Sequence, residues 1–163
     1  MTGLAPRRAA VLVLTVVLAG TGALRAQKAS LQTPSASAWA GVYTLDQAPR
    51  GAEVTRMCVS CHGLDLDGSV GNAPTLVGPV FAARWEEWTL GDMFERITDE
   101  IRVLTPRPAT GEATTRAAAG EPERLQQSAD VLAYLLRVNH LPAGQAELRP
   151  DIGLLRRIRF SKH

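Results

Sequence analysis

Five consecutive residues, Cys58-Val59-Ser60-Cys61-His62, constrain this chain more than any other stretch of its 163 residues. They form the pattern C-x-x-C-H, which is the attachment motif for a c-type haem. In that chemistry each thiol adds to one vinyl group of the macrocycle, and two intervening residues keep both sulfurs within about one helical turn. The histidine after the second cysteine can then bind the iron from the proximal side. We therefore expect one covalent haem c per chain, held by Cys58 and Cys61 and ligated by His62.

Other uses of paired cysteines fit the sequence less well. A redox-active C-x-x-C is expected in a thioredoxin-like βαβ unit, and no strand-like run precedes Cys58. A structural zinc site takes four ligands, usually from two such pairs, whereas this chain has two cysteines in all. A haem-free structural domain is the remaining alternative. Because aromatic residues make up only 5% of the chain, we expect a thin protein core that a buried haem completes.

The first 26 residues have the pattern of a secretory signal peptide. Arg7 and Arg8 form a positively charged start, and an apolar core at 9–19 is followed by small residues. The apolar run is shorter than the ~20 residues of a membrane span, so we expect cleavage after Ala26, with Ala23 as an alternative. This predicts an exported, periplasmic protein, which is bound to a membrane only if the segment is retained. Export agrees with the haem motif, because bacteria attach haem outside the cytoplasmic membrane.

Composition divides the remaining chain into three parts. Residues 27–41 form a leader rich in Ser, Ala, Gln and Thr, residues 42–148 form one domain, and residues 149–163 form a basic tail. Such a leader is typical of a flexible segment. The basic tail is either a solvated surface or a docking patch for an acidic partner, and the alternation around Ile158 and Phe160 allows a short strand or an extended segment on the body. Removing the arginines of residues 1–26 changes the formal net charge from +2 to −1. The remaining chain therefore has no overall positive charge that would favour binding to nucleic acid. We expect the protein to be a monomer.

Apolar spacing predicts a small all-α domain of three to five helices. Thr44 and Gln47 form a capping box for a first helix that runs to the haem motif. Residues 89–104 carry apolar side chains at every third or fourth position, which is typical of an amphipathic helix. A further helix is predicted at 123–139, and the glycine- and proline-rich segments between the helices predict loops.

Two stretches resemble the class I c-type cytochromes, in particular small bacterial mono-haem members associated with quinoprotein dehydrogenases. They are CHGLDLDG with APTLVGPVF, between Cys61 and Phe81, and ADVLAYLLRVN, which ends at Asn139. The resemblance covers about residues 42–144. It implies a cytochrome c-like fold in which the N- and C-terminal helices cross where a small residue faces an aromatic one. Gly51 and Tyr134 are the candidates for this crossing.

The resemblance also implies roles around the haem. Pro74 matches the proline whose carbonyl accepts a hydrogen bond from the proximal histidine, and Leu76 matches a leucine that packs on the proximal haem face. The aromatic stretch at 81–88 lies near the haem edge in this family. Trp85 is therefore a candidate donor to a propionate, and Arg84 could offset the propionate charge. For each of these residues, ordinary packing or a surface position is the alternative.

The sixth iron ligand expected from the resemblance is missing. In the family, a Met-Pro dipeptide follows the second predicted helix, but this chain has Thr105-Pro106 there. The alternatives are an open or water-ligated site, ligation by Met93, and ligation by His140 or His163. The hydroxyl of Thr105 would be a poor ligand for ferrous haem. We favour the open site. Without a methionine sulfur as the sixth ligand, the haem iron is expected to have a lower reduction potential.

The sequence thus predicts an exported electron carrier without catalytic residues. Such a protein takes single electrons from a periplasmic dehydrogenase, possible partners being the quinoprotein dehydrogenases, and passes them to an acceptor. The missing methionine supports an alternative function. In that alternative, a haem protein with an open sixth coordination site acts as a gas-binding sensor or as a weak peroxidase-like protein.

Overall fold

The computed structural model describes residues 37–71, 73–105 and 120–161. These residues form six α-helices: α1 Gln47–Thr55, α2 Val59–His62, α3 Gly78–Trp85, α4 Leu90–Leu104, α5 Glu121–Val138 and α6 Ile152–Leu155. Two 3-10 turns occupy Ala38–Ala40 and Arg56–Cys58. In the described ranges, β-type pairing is limited to two isolated bridges, which join Arg159 to Ser37 and to Thr89. The described chain is therefore all-α, as the sequence predicts. It has six helices where three to five were expected, because α2 and α6 are single turns of four residues.

The largest contact in the fold is the crossing of α1 over α5. Gly51 lies at this crossing, where an added Cβ would lie 1.9 Å from the carbonyl oxygen of Asp130 and 2.8 Å from the Cβ of Tyr134. A glycine inside a helix costs about 1 kcal/mol relative to alanine, and the close approach of the two backbones explains why it is present. The predicted pairing of Gly51 with Tyr134 is confirmed.

A buried polar network fixes the same crossing. The side-chain amide of Gln47 donates to the carboxylate of Asp130 at 3.1 Å and exchanges two hydrogen bonds with the backbone of Leu148. Arg50 bridges two carboxylates, with its Nε 3.0 Å from Asp130 and an Nη 2.9 Å from Glu147. Since Gln47 is fully buried, its polar groups need these partners. The network ties α1, α5 and the chain after α5 together.

The ends of the helices differ in detail from the prediction. The hydroxyl of Thr44 accepts from the N–H of Gln47 at 3.2 Å. The Gln47 side chain turns into the core, however, so the predicted capping box is only half formed. A complete capping box joins Thr89 and Asp92 at the start of α4. The 3-10 turn at Arg56–Cys58 separates α1 from α2, so the first helix does not continue unbroken to the C-x-x-C-H motif.

The start of the described chain packs on the helical body. Ala38 is fully buried, and its N–H donates to the carbonyl of Arg159 at 2.8 Å. The hydroxyl of Ser37 donates to the carbonyl of Ser161 at 2.5 Å. The structure therefore places residues 37–41 on the domain, although their composition assigned them to the leader.

The C-terminal segment also lies on the domain instead of forming a separate tail. Leu155, Ile158 and Phe160 are buried, while the arginines between them are exposed. The carbonyl of Ile158 accepts from the N–H of Leu90 at 2.8 Å. The ring of Phe160 meets that of Phe81 edge to face, with 5.9 Å between centroids. Inward apolar residues thus hold a segment whose basic composition resembles a solvated tail.

Within the described ranges, no helix is both long enough and apolar enough to cross a bilayer. The predicted signal peptide at 1–26, the leader at 27–36, residues 106–119 and His163 lie outside the described residues.

Candidate haem-binding site

A cavity of about 830 Å³ lies among helices α1 to α5, and its lining is mainly apolar. Cys58, Cys61 and His62 all lie on its wall. Sites for small molecules and cofactors usually have volumes of roughly 300–1,000 Å³ and an apolar lining with few polar groups. The cavity therefore has the size and chemistry to accept a bulky, mostly apolar cofactor beside the C-x-x-C-H motif.

The imidazole of His62 is oriented by the backbone of the following loop. Its Nδ1 lies 2.7 Å from the carbonyl oxygen of Pro74. A carbonyl can only accept, so Nδ1 is the donor; in the neutral imidazole Nε2 then keeps a free lone pair. Fixing the tautomer through the second nitrogen is the usual way in which proteins prepare a histidine to bind a metal. The hydrogen bond between His62 and Pro74 expected from the resemblance is present.

Left-handed backbone positions fold the loop back under His62. Gly63 ends α2 with a φ of 84°, and Gly68 follows with a φ of 74°. A Cβ at Gly68 would lie 2.9 Å from the carbonyl oxygen of Ala73, so a side chain there would displace the loop. The N–H of Gly68 donates to the carbonyl of His62 at 2.8 Å. These contacts carry the chain to Pro74 beside the imidazole.

The two cysteines are free thiols in different surroundings. Cys58 is half-buried and Cys61 is exposed. Burial raises the pKa of the Cys58 thiol, and the nearby charges of Glu100 and Cys61 raise it further. The protonated thiol of Cys58 is therefore the dominant form at neutral pH.

Three aromatic side chains form one wall of the cavity. Phe81 lies 6.4 Å from Trp85 between ring centroids, and Trp85 lies 6.3 Å from Trp88 in a nearly perpendicular arrangement. Trp85 is half-buried, whereas Trp88 is 51% exposed at the rim. Arg84 also lines the cavity, is exposed, and has no ion-pair partner among the described residues. The structure thus brings Trp85, Arg84 and the predicted Leu76 to the same cavity as His62.

The apolar face of α4 forms another part of the wall. It contributes Met93, Ile97, Ile101 and Leu104, and α5 adds Val131 and Leu135. The spacing in the sequence predicted that the four α4 residues share one helix face, but not that this face lines a cavity.

The candidates for the sixth ligand fall into two groups. Met93 is buried and lines the cavity, as does Met57. His140 is exposed and does not line the cavity. Thr105 is also away from the wall, and its hydroxyl donates to the carbonyl of Ile101 at 2.6 Å.

Asn139 positions the site but was missed by the sequence analysis. Its side-chain oxygen accepts from the N–H of Gly78 at 2.9 Å, and its amide nitrogen donates to the carbonyls of Leu76 and Leu135 at 2.9 and 2.8 Å. It thereby joins the end of α5 to the loop that carries Leu76. Asn139 has a φ of −92°, so it is not the left-handed asparagine cap that a sequence can suggest, and no local signal marked it.

The part of the chain that the structure describes contains no group of three or more His, Cys, Asp or Glu side chains able to hold a metal ion. No family model, curated protein or solved structure matches this chain. Its functional interpretation therefore depends on the residues and geometry of the site itself.

Proposed function

We propose that the protein is an exported mono-haem c-type cytochrome that carries single electrons. The observation that carries this proposal is the arrangement around His62. Its Nδ1 is held by the carbonyl of Pro74 at 2.7 Å, next to Cys58 and Cys61 on the wall of a mainly apolar cavity of about 830 Å³. Two thiols, an imidazole with a free Nε2 and an apolar slot are the donor set and surroundings that haem c requires.

In this proposal each residue of the motif has one role. The sulfurs of Cys58 and Cys61 form thioethers that tether the cofactor, and Nε2 of His62 binds the iron. The carbonyl of Pro74 fixes the ring and raises its basicity, as such partners do for metal-bound histidines. Leu76 packs on the cavity wall beside them. Bound haem supplies a one-electron couple at its iron.

The rim of the cavity suits the charged part of the cofactor. An apolar cavity disfavours buried carboxylates unless they have partners. Trp85 offers an indole N–H, and the exposed guanidinium of Arg84 offers a charge-assisted hydrogen bond. Cys61 is exposed, so the tethered edge of the cofactor would lie near solvent, where a partner can approach.

The biological setting follows from the sequence. The N-terminal segment supports export to the periplasm, and the resemblance to class I cytochromes supports a dehydrogenase as electron donor. A quinoprotein dehydrogenase is the partner class that we propose, and the protein would act as a monomer. The tether and ligand residues perform no bond-making chemistry on a substrate, so the protein is a carrier and not an enzyme.

The test is expression of the full chain in a bacterium that attaches haem c. The purified protein should show haem-dependent peroxidase staining after denaturing electrophoresis, and its iron should exchange electrons with small-molecule donors and acceptors. Cys58→Ala combined with Cys61→Ala should abolish the stain, whereas Ser60→Ala within the same motif should retain it. A wild-type protein without covalent haem, or a haem protein that exchanges no electrons, would overturn the proposal.

A further inference from the structure

The electron-carrier proposal leaves the sixth iron position, opposite His62, undefined. We propose that this position is open in the ferrous protein and binds a small neutral diatomic ligand of the carbon monoxide or nitric oxide class. This inference rests on the proposed function, because it requires the haem. It adds a binding activity that electron transfer does not need.

The chain contains few side chains that bind haem iron strongly. Outside the motif they are His140 and His163, the methionines at 1, 57 and 93, and the lysines at 28 and 162. Residues 106–119 contain no histidine, methionine, lysine or cysteine. Met1 belongs to the predicted signal peptide and Lys28 to the leader. The choice of a protein ligand therefore narrows to a few named residues.

The structure separates several of these residues from the cavity. His140 is exposed in the turn after α5, with a φ of 62°, and it does not line the cavity. The hydroxyl of Thr105, at the place of the expected methionine, is committed to the carbonyl of Ile101. Neither side chain is in position to ligate an iron held by His62.

The two methionines on the wall have structural roles that do not involve the iron. Met57 directly precedes Cys58 in a 3-10 turn, so it is tied to the side of the cofactor that carries the thioethers. Met93 is 1% exposed and belongs to the hydrophobic core. Thr105 stands where the resemblance places the methionine ligand. Met93 precedes it by twelve residues, which corresponds to about 18 Å along a helix. Core packing accounts for Met93 without a bond to iron.

The lining of the cavity indicates which ligand class it accepts. The hydroxyls of Thr55 and Thr75 are committed to backbone carbonyls, those of Gly51 at 2.7 Å and Val77 at 2.8 Å. They therefore offer no free O–H to a ligand. On α4 and α5, the apolar lining residues are Met93, Ile97, Ile101, Leu104, Val131 and Leu135, and the charged ones are Asp92, Glu95, Arg96 and Glu100.

The charged groups on the α4 wall have partners of their own. Arg96 bonds to Glu100 at 2.6 Å, and Glu95 bonds to Arg156 at 2.7 Å. The carboxylate of Asp92 accepts from Thr89. None of these α4 groups is free to pair with an anion, and ferrous iron in its porphyrin ring has no net charge, so a buried anion there would be costly. A neutral diatomic molecule avoids that cost.

The test uses the haem-loaded full chain in its ferrous form, with carbon monoxide as the neutral probe and azide as the anionic probe. We expect a high-spin spectrum, rapid carbon monoxide binding in a single phase, and no change of the ferrous spectrum in excess azide. A stable low-spin six-coordinate spectrum with slow carbon monoxide binding would overturn the inference. Ready uptake of azide would overturn the proposed ligand class.

Four variants test the remaining candidates for an internal ligand: Met57→Leu, Met93→Leu, Lys162→Ala and His163→Ala. We expect carbon monoxide affinity to be unchanged in all four. If one of these side chains occupied the iron in about 99% of molecules, its removal would raise the affinity about 100-fold. Such a rise in any variant would overturn the inference.

The same sample distinguishes this inference from the proposed function. Haem staining and electron exchange are measured first, because their failure would count against the cytochrome itself. A protein that holds haem and exchanges electrons but refuses carbon monoxide would contradict only the open sixth site.

Discussion

The substitution Gly51→Ala tests the crossing of α1 over α5, and it gives the sharpest stability prediction. In an unconstrained helix interior, this change stabilises the helix by about 1 kcal/mol. Here the added carbon would lie 1.9 Å from the Asp130 carbonyl oxygen and 2.4 Å from its carbon. Both atoms belong to the backbone of α5, so they cannot rotate away as a side chain could. The two helices must therefore move apart.

The size of the effect follows from this overlap. Ordinary contacts begin near 3.4 Å, so the helices must separate by an ångström or more along this direction. A gap of about 0.5–1 Å already forfeits a quarter to a half of the contact energy between facing atoms. Overpacking of a core costs roughly 1–3 kcal/mol and occasionally more. Because the clash is with backbone atoms, we take the upper end of that range, about 3 kcal/mol, and subtract the gain of about 1 kcal/mol in helix propensity. The net loss is then about 2 kcal/mol, which lowers Tm by roughly 8 °C at about 4 °C per kcal/mol for a domain of this size.

The assay is thermal unfolding of the full chain, followed by far-ultraviolet circular dichroism. Gly153→Ala is the matched control, because the nearest atom to its added Cβ is a side-chain oxygen of Asp151 at 3.3 Å. That oxygen can shift, so the control should change the free energy of unfolding by less than about 1 kcal/mol. An unchanged or raised Tm for Gly51→Ala would refute the reasoning about the crossing.

Three further substitutions test the packing around the site. Arg50→Ala leaves the carboxylate of Asp130, whose side chain is 8% exposed, with fewer partners. The free energy of unfolding in urea should fall by about 1–3 kcal/mol. A fall of less than about 0.5 kcal/mol would contradict this. Tyr43→Phe removes a buried hydroxyl that donates to a backbone carbonyl at 2.8 Å, at a cost of about 1 kcal/mol at pH 7. Burial raises the pKa of Tyr43, so its contribution is complete below the ordinary tyrosine pKa of about 10 and is lost as the pH rises through the raised value. The stability difference from the wild type should therefore narrow at alkaline pH, and a constant difference would argue against this linkage. Phe160→Ala removes a buried ring and should cost about 3–5 kcal/mol in the same urea assay, whereas a free tail would give no change.

Matched variants accompany these substitutions. Arg56→Ala breaks an exposed pair with Glu53 and should cost less than about 0.5 kcal/mol. Tyr134→Phe removes the hydroxyl of the other tyrosine and retains the Cβ that faces Gly51. A loss of stability equal to that of the test variants would show that the predicted costs are not specific to the buried partners.

Short-range chemistry was predictable from the sequence. The spacing of Cys58, Cys61 and His62 needs no tertiary information, because one turn of chain brings the three side chains together. The apolar face of α4 follows from helical periodicity, and Gly51 was informative because a glycine in a helix requires a reason. These features depend on residues that are close in sequence or on a single unusual residue type.

Long-range partners were not predictable in the same way. Asn139 holds Gly78 and Leu76 across 61 and 63 residues, and no local pattern specifies such a partner. The alternation around Ile158 and Phe160 allowed an extended segment on the body, but no local pattern identifies Phe81 as the ring that Phe160 contacts. Gln47 was interpreted as a capping residue because its spacing from Thr44 fits, but a buried carboxylate and a backbone amide were better partners.

The contact between Phe160 and Phe81 also affects the order in which the cavity is completed. Synthesis proceeds from the N-terminus, so Cys58 and Cys61 are made about a hundred residues before Phe160. Until the residues near 160 exist, Phe81 lacks its edge-to-face neighbour and Leu90 lacks the carbonyl of Ile158. The growing chain therefore presents its thiols while one wall is still unsupported. The last segment then completes this wall, when both thiols are already part of the chain.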